Sequence, residues 1–167
     1  MNKPERRIKI TLTKRNVSCV ATLLDDVAPR TCQIVWDSLP LESQVHHAKY
    51  ARNEIYTLVP SFGDSPELEN TTITPIAGDV VYFEFPKAQI ATVSHGYAND
   101  QSAYRSEKTV DLALFYERNN LLLNPDIGFV PGNVFARIDE GLGEMAAAAQ
   151  DLWRAGTIGE TLRFSRL

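Results

Sequence analysis

The chain has 167 residues, of which 44% are hydrophobic and 23% are charged, and its formal net charge is −4. This length and composition are typical of one globular domain with a full hydrophobic core, so we expect a single domain over residues 1–167. Lysine and arginine are scattered except around Lys3 to Arg15, and this distribution argues against a nucleic-acid partner.

The N-terminus does not resemble a targeting signal. Apolar and charged residues alternate in "MNKPERRIKITL", whereas a secretory signal needs a continuous apolar run. No segment approaches the roughly 20 apolar residues that a membrane-spanning helix requires. Cys19 and Cys32 are too few for a disulfide framework or a tetrahedral metal site. We therefore predict a cytoplasmic protein with no membrane partner and no bound metal.

The first elements in chain order are two strands. Ile8, Ile10 and Leu12 alternate with polar residues in "RRIKITLTK", and "VSCVATLLDD" follows a turn at Arg15-Asn16. Alternation at period two on both sides of a turn predicts an antiparallel hairpin.

A helix is predicted from Pro29 to just before Pro40. Proline is tolerated in the first turn of a helix, because its missing N–H would have no partner there, and it stops a helix further on. Apolar residues recur in this segment at i, i+3, i+4 and i+7; they are Cys32, Val35, Trp36 and Leu39. We expect this stripe to pack on a sheet.

The stretch "VHHAKYARNEIYTLVPSF" predicts a second hairpin, with strands His46 to Ala51 and Glu54 to Val59 joined by a two-residue turn at Arg52-Asn53. Segments rich in β-branched and aromatic residues predict four further strands, Gly78 to Phe85, Ala88 to His95, Val110 to Glu117 and Asn133 to Ile138. The polar stretch from Tyr97 to Thr109 predicts a surface loop.

The chain ends with a second helix and a last strand. "GLGEMAAAAQDLWRAG" carries one apolar side, and Gly156 is placed to end the helix in the left-handed conformation. The residues of that side are Leu142, Met145, Ala146, Ala149, Leu152 and Trp153. "ETLRFSRL" then alternates apolar and polar residues. Too few helices separate the strands for a parallel sheet, so we predict a mainly β fold, a closed antiparallel β-barrel capped by two α-helices.

Several segments in this order resemble the cyclophilin pattern. They are "LLDDVAPRTCQIVWDSL", "IYTLVPSF" and "VFARIDEGLGEM", and they look closer still to a bacterial family of cyclophilin-like proteins of uncharacterised function. The resemblance implies an eight-stranded barrel closed by a helix at each end. It also implies a groove on one side that binds a proline-containing peptide in true cyclophilins.

The resemblance implies that this groove lacks the polar catalytic residues of cyclophilins. Thr57 stands where cyclophilins place a catalytic arginine, and a hydroxyl cannot replace a cationic fork. Phe62 and Phe115 match apolar wall positions of the family pattern. Ala113 replaces a groove glutamine, and Gly132 falls where a groove histidine is expected.

Other polar residues have alternative interpretations. Arg52 at a hairpin tip is either solvated or aimed at the groove, and His95 at a strand end is either a general base or a loop cap. Adjacent His46 and His47 point to opposite faces of a strand, which disfavours a shared metal ion. Glu84, in an otherwise apolar strand, either alternates outward to water or is a buried acid with a raised pKa.

Known catalytic signatures do not occur in the sequence. The glycines lack the spacing of a phosphate-binding loop, and Gly141 and Gly143 lack the third glycine of a dinucleotide site. Neither a G-x-S-x-G nor an H-E-x-x-H motif is present. We therefore predict no cofactor.

Two functions of different classes remain open, besides the possibility that an edge strand forms a homo-oligomer. The first is a non-catalytic module that binds a small molecule or a peptide side chain. Its groove would be formed by Thr57, Phe62, Tyr82, His95 and Phe115, with Arg52 nearby. The second is a residual prolyl isomerase, or another small-molecule enzyme, in which Arg52 or His95 supplies the charge that Thr57 lacks.

Overall fold

The structure, a computed structural model, describes residues 4–90, 97, 100 and 106–167. Its longer strands are β1 (Arg7–Leu12), β2 (Val17–Leu23), β3 (Leu41–His47), β4 (Glu54–Pro60), β6 (Asp79–Pro86), β7 (Lys108–Phe115), β10 (Gly132–Glu140) and β11 (Thr161–Arg166). Three short strands are β5 (Thr71–Thr72), β8 (Leu123–Asn124) and β9 (Gly128–Phe129). The helices are α1 (Pro29–Ser38), α2 (Lys87–Ile90) and α3 (Leu142–Ala155).

The eight longer strands close into an antiparallel barrel in the order β1, β11, β3, β4, β7, β6, β10 and β2, and β2 returns to β1. This confirms the predicted mainly β barrel with helices. Closure depends on β2, which pairs with β1 on one side and with β10 on the other. The predicted hairpin is also confirmed, because Ile8 and Ile10 of β1 lie opposite Ala21 and Cys19 of β2, and all four are buried.

Helix α1 spans the predicted segment and packs on β10. Cys32 and Val35 are fully buried, and the Cys32 thiol donates to the Phe135 carbonyl at 3.2 Å. Ala28 precedes the helix and offers no side-chain cap. The Glu69 carboxylate replaces the cap, accepting from the backbone N–H groups of Arg30 and Thr31 at 3.0 and 2.9 Å. A distant loop therefore satisfies the free N–H groups of the first turn.

Helix α3 confirms the second predicted helix with one exception. Met145, Ala149 and Leu152 are buried, but Trp153 is 64% exposed, so its assignment to the core-facing side is wrong. Trp153 follows Leu152 by one residue, which turns it about 100° away around the helix. Its ring lies 5.0 Å from the ring of His47.

Two other local predictions are wrong. Residues 48–53 connect β3 to β4, so the link is longer than a two-residue turn, although Arg52 does adopt a positive φ of 82°. Residues 88–90 belong to the short helix α2 rather than to a strand, and residues 91–95 of that predicted strand lie outside the described residues.

Strands β4, β7 and β6 are buried on both faces. Their inner face contributes to the main barrel core, which includes Ile55, Val59, Val80, Leu112 and Leu114. Their outer face forms a second apolar cluster, which includes Tyr56, Leu58, Phe83, Ala113 and Phe115. Because side chains alternate along a strand, neighbouring residues divide between the two clusters. The outer cluster is covered by loop residues rather than by water.

No helix within the described residues is long and apolar enough to cross a membrane.

Glu160 ties the β1–β2 turn to β11. Its carboxylate side chain is fully buried and accepts from the backbone N–H groups of Lys14, Arg15 and Thr161 at 2.8 to 3.0 Å. Burial opposes the charge, but these bonds and one from the Arg15 guanidinium outweigh it and lower the pKa of Glu160.

We expect Glu160→Gln to lower the free energy of unfolding by about 1–3 kcal/mol at pH 7, because an amide N–H₂ then faces backbone donors in a buried position. Urea denaturation of the variant measures this loss. Glu5 is exposed and provides the matched control, for which Glu5→Gln should change stability by less than about 0.5 kcal/mol. An equal, small effect of both substitutions would contradict the structural role of Glu160.

Candidate functional site

A cavity of about 120 Å³ lies on the outer face of β4, β7 and β6. We call it the outer pocket. Residues 48–51 and segments between Leu122 and Val130 line it from the loop side. Its aromatic lining is formed by Tyr50, Tyr56, Phe83, Phe85 and Tyr97. The walls are thus mainly apolar, which is typical of small-molecule sites.

Two carboxylic acids interrupt this apolar lining. Glu54 of β4 and Asp111 of β7 both line the outer pocket, and they are only 5% and 6% exposed. We call them the carboxyl pair. Glu54 lies opposite Phe115 in the ladder and Asp111 opposite Leu58, with Ala113 between Asp111 and Phe115 on the same face.

Asp111 carries a buried oxygen that lacks a partner. Within the part of the chain that the structure describes, its Oδ1 atom has no hydrogen bond. Leaving a buried acceptor unsatisfied costs about 1–3 kcal/mol, and native proteins contain few such groups. Asp111 lines the outer pocket, so this unpaired acceptor lies beside the cavity.

Burial changes the protonation of the carboxyl pair. It raises the pKa of Glu54 to about 8. It also raises the pKa of Asp111 well above its usual range, and the nearby charge of Glu54 raises it further. The pair therefore retains a proton near neutral pH, so that it is able to donate as well as accept a proton.

A polar aromatic cluster flanks the pair. The hydroxyls of Tyr56 and Tyr97 are hydrogen bonded to each other, and the ring of His46 lies 5.4 Å from that of Tyr56 and 5.0 Å from that of Tyr97. His46 Nε2 lies 2.7 Å from Asp100 Oδ2. Burial raises the pKa of both tyrosines, so their hydroxyls stay neutral. Asp100 is 2% exposed, so the predicted surface loop is wrong at this residue.

A second, more polar groove of about 450 Å³ adjoins the outer pocket. Phe83, Phe85 and Gln89 line both, and Tyr82 and Glu84 line only the groove. The sequence favours a Glu84 side chain that points outward to water. In the structure this side chain is only 17% exposed, and three partners bind it. Burial opposes its ionisation, but hydrogen bonds from Lys108, Ser65 and Tyr82 together lower its pKa.

The sequence-predicted groove residues do not meet at one place. Thr57 is fully buried on the inner face of β4, where its hydroxyl donates to the Gln44 carbonyl at 2.8 Å. Tyr82 is buried and packs edge-on against Phe62, with ring centroids 6.2 Å apart. The structure thus brings Phe62 and Tyr82 together at the second groove.

Phe115 and Arg52 lie apart from this aromatic pair. Phe115 is fully buried in the outer cluster, and Arg52 is exposed in the 48–53 connection without lining either cavity. His95 lies outside the described residues.

Gly132 explains one departure from the cyclophilin pattern. A Cβ atom at this position would lie 2.6 Å from Val81 Cγ1 and 3.0 Å from the Phe83 ring. The backbone of β10 approaches these side chains too closely for any larger residue. A groove histidine therefore does not fit here.

Sequence reasoning missed the carboxyl pair. Asp111 stands in "VDLALF" as a single acid in an apolar strand, which is the same signal that drew attention to Glu84. Glu54 is the first residue of β4, as predicted, but no role was assigned to its side chain. Among the described residues, no three His, Cys, Asp or Glu side chains are grouped closely enough to hold a metal ion.

Two solved structures resemble this fold. McbB, determined in complex with tryptophan, aligns with a TM-score of 0.63 and 18% identity over 95% of this chain and 44% of McbB. The chain thus spans less than half the length of McbB. The solution structure of the hypothetical protein AF2241 from Archaeoglobus fulgidus aligns with a TM-score of 0.50 and 19% identity over 99% of this chain and 98% of that protein. At these identities the likeness shows the fold alone.

Sequence comparison gives the family. No curated protein matches the chain. The cyclophilin resemblance stays a prediction, since neither the two structures nor the matching family is described as a cyclophilin. Residues 10–164 match a family described as a protein of unknown function, DUF3830. The chain therefore belongs to the DUF3830 family of unknown function.

Proposed function

We propose that this protein binds a small, largely apolar molecule in the outer pocket. The observation that carries the proposal is the buried, unpartnered oxygen of Asp111, a residue that lines a mainly apolar cavity. An apolar site with a few convergent polar groups is the usual form of a small-molecule site.

The size of the pocket limits the ligand. Its volume of about 120 Å³ is of the order of the roughly 150 Å³ engineered cavities that take up benzene. A body of about one aromatic ring therefore fits the enclosed part. A longer ligand has the adjoining groove beyond Phe83 and Phe85 for its remaining atoms.

The energetics favour a role in binding over a role in folding. An unpaired buried carboxyl reduces stability, whereas Glu160 shows how this fold satisfies a structural carboxylate with several donors. Groups that a protein retains against its own stability are concentrated at functional sites. Asp111 fits that description.

The fold neighbour McbB supports a small-molecule ligand in general terms. McbB was determined in complex with tryptophan, which combines an aromatic body with an amino group. At 18% identity this does not identify the ligand of the present chain.

A second candidate is the peptide groove that the cyclophilin resemblance implies. Such a peptide would bind in the second groove, which Tyr82 lines next to Phe62. We expect no prolyl isomerase activity, because Thr57 is buried and uncharged and Arg52 is exposed outside both cavities. A protease-coupled isomerisation assay at micromolar protein checks this. Acceleration over the uncatalysed rate would favour the isomerase, with Arg52→Ala and His95→Ala as the variants that locate it.

Benzyl alcohol, a neutral ring-sized probe, should bind wild-type protein with a dissociation constant of about 1 mM, as expected for eight non-hydrogen atoms in an apolar pocket. Filling the cavity by Ala51→Phe should abolish binding, because Ala51 lines it and is only 8% exposed. Chemical shift titration by NMR measures both, and the spectrum reports folding.

Ala155→Phe, at the exposed end of α3, is the matched control and should bind normally. If Ala51→Phe does not fold, Ile127→Trp fills the same pocket from the half-exposed loop side. A wild-type protein that shows no saturable shifts, or shifts only away from the pocket, would overturn the proposed function.

The carboxyl pair should also make stability depend on pH. Its native pKa values are raised, so the folded chain holds more protons than the unfolded chain between the ordinary carboxyl pKa and the native values. The free energy of unfolding contributed by the pair is therefore complete below about pH 4 and declines as pH rises towards 8.

We expect Asp111→Asn to match wild type within about 0.5 kcal/mol at pH 5 and to be more stable by about 1–3 kcal/mol at pH 8, where the buried carboxylate costs most. Urea denaturation at both pH values measures the difference. Glu117→Gln removes an exposed acid and should show no such trend. Destabilisation by Asp111→Asn at both pH values would indicate a structural role instead.

A further inference from the structure

We infer that the ligand of the outer pocket carries a protonated amine, and that its binding releases one proton from the carboxyl pair to water. This inference rests on the proposed function, and it names the chemical class of the ligand and the way pH regulates its binding.

The charges that line the pocket favour a cationic group. Glu54 and Asp111 are the acids on its walls, and Lys49 is the one basic side chain among the described lining residues. Lys49 is exposed and already has an interaction partner. The described lining therefore presents two carboxyls, whose ionised forms a cation from outside would stabilise.

Geometry favours nitrogen over a metal ion. Asp111 Oδ1 offers one buried acceptor, and an ammonium N–H donates to such an oxygen in a short, charge-assisted hydrogen bond. Among the described residues, no third acid, histidine or cysteine joins the pair to complete a metal site. The aromatic faces of Tyr56 and Phe83 on the same walls suit a cation with an organic substituent.

The proton balance follows from burial. In the empty pocket, close carboxyls in an apolar setting keep a proton. An ammonium ion stabilises the ionised form of the carboxyl that it contacts, so that a proton leaves to water when the ligand enters. The ammonium ion brings one positive charge into the pocket, and the released proton carries one away. No covalent bond to carbon changes. The filled pocket keeps the net charge of the empty one.

Other titratable groups face the pair and need to be separated from it. Tyr56 and Tyr97 hold each other through their hydroxyls and stay neutral, since burial raises the pKa of both. His46 contacts both rings and pairs with Asp100, and Lys49 lines the outer rim. His46→Gln therefore tests the histidine as an alternative source of the proton.

The experiment compares benzylamine with benzyl alcohol, which have the same ring and differ in the charged group. Calorimetry at pH 7 should give benzylamine at least about tenfold higher affinity, the effect of one charge-assisted hydrogen bond. Repeating the titration in phosphate and in Tris should show release of about one proton for benzylamine and none for benzyl alcohol. The affinity of benzylamine should rise from pH 6 to pH 8.

Variants assign the effect to the pair. Asp111→Asn and Glu54→Gln should each reduce the advantage of benzylamine over benzyl alcohol and the proton release. Glu117→Gln removes an exposed acid that follows β7, and this variant should behave as wild type. Proton release that disappears in His46→Gln, but not in Asp111→Asn, would overturn the assignment to the pair.

The outcomes separate the two proposals. Equal affinity for both probes would overturn the amine inference and leave the binding pocket intact. A stronger amine interaction with no proton release would overturn the linkage to the pair. If neither probe binds the folded wild-type protein, the proposed function fails and the inference fails with it.

Discussion

Burial of both faces of β4, β7 and β6 is the constraint on which the rest of the structure depends. In most antiparallel barrels one face of each strand contributes to the core and the other meets water. Here the inner face fills the barrel and the outer face forms the floor of the pocket. A shift of register by one residue would exchange the two faces and place Asp111 in the barrel core. The ladder from Glu54–Phe115 to Pro60–Thr109 therefore fixes the fold and the candidate site together.

The sequence correctly predicts those strands and helices that have one face exposed to water. The β1–β2 hairpin and helix α1 show clear alternation or a clear stripe, because most residues on their other sides are polar or charged. In β4 the residues from Glu54 to Val59 are all buried, so no alternation tells which side faces the barrel. This explains why Thr57, expected in a groove, lies on the inner face. Trp153 shows the related problem for helices. An apolar stripe in the sequence locates the centre of the buried face of a helix better than the edges of that face.

The candidate site could not be predicted from the sequence, because the hydrogen-bond partners of a carboxylate decide its role. Glu84, Glu160 and Asp111 each stand in or beside a strand of apolar character, and nothing local distinguishes them. Glu160 obtains its donors from Lys14 and Arg15, about 145 residues away in the chain. Hydrogen bonds lower the pKa of Glu84 and Glu160, whereas burial without such partners raises that of Asp111. Only the closed barrel shows which acid lacks a partner.

Because the interior of the barrel is filled by side chains, the candidate site lies on its outside. Phe135, Phe164 and Leu112 are fully buried in the main core, together with the apolar faces of α1 and α3. This core supplies most of the apolar burial that stabilises the chain. The outer cluster can then carry one unpaired carboxyl oxygen, that of Asp111, because the main core already supplies most of the burial. The well-packed inner core and the proposed binding site thus lie on opposite sides of the same three strands.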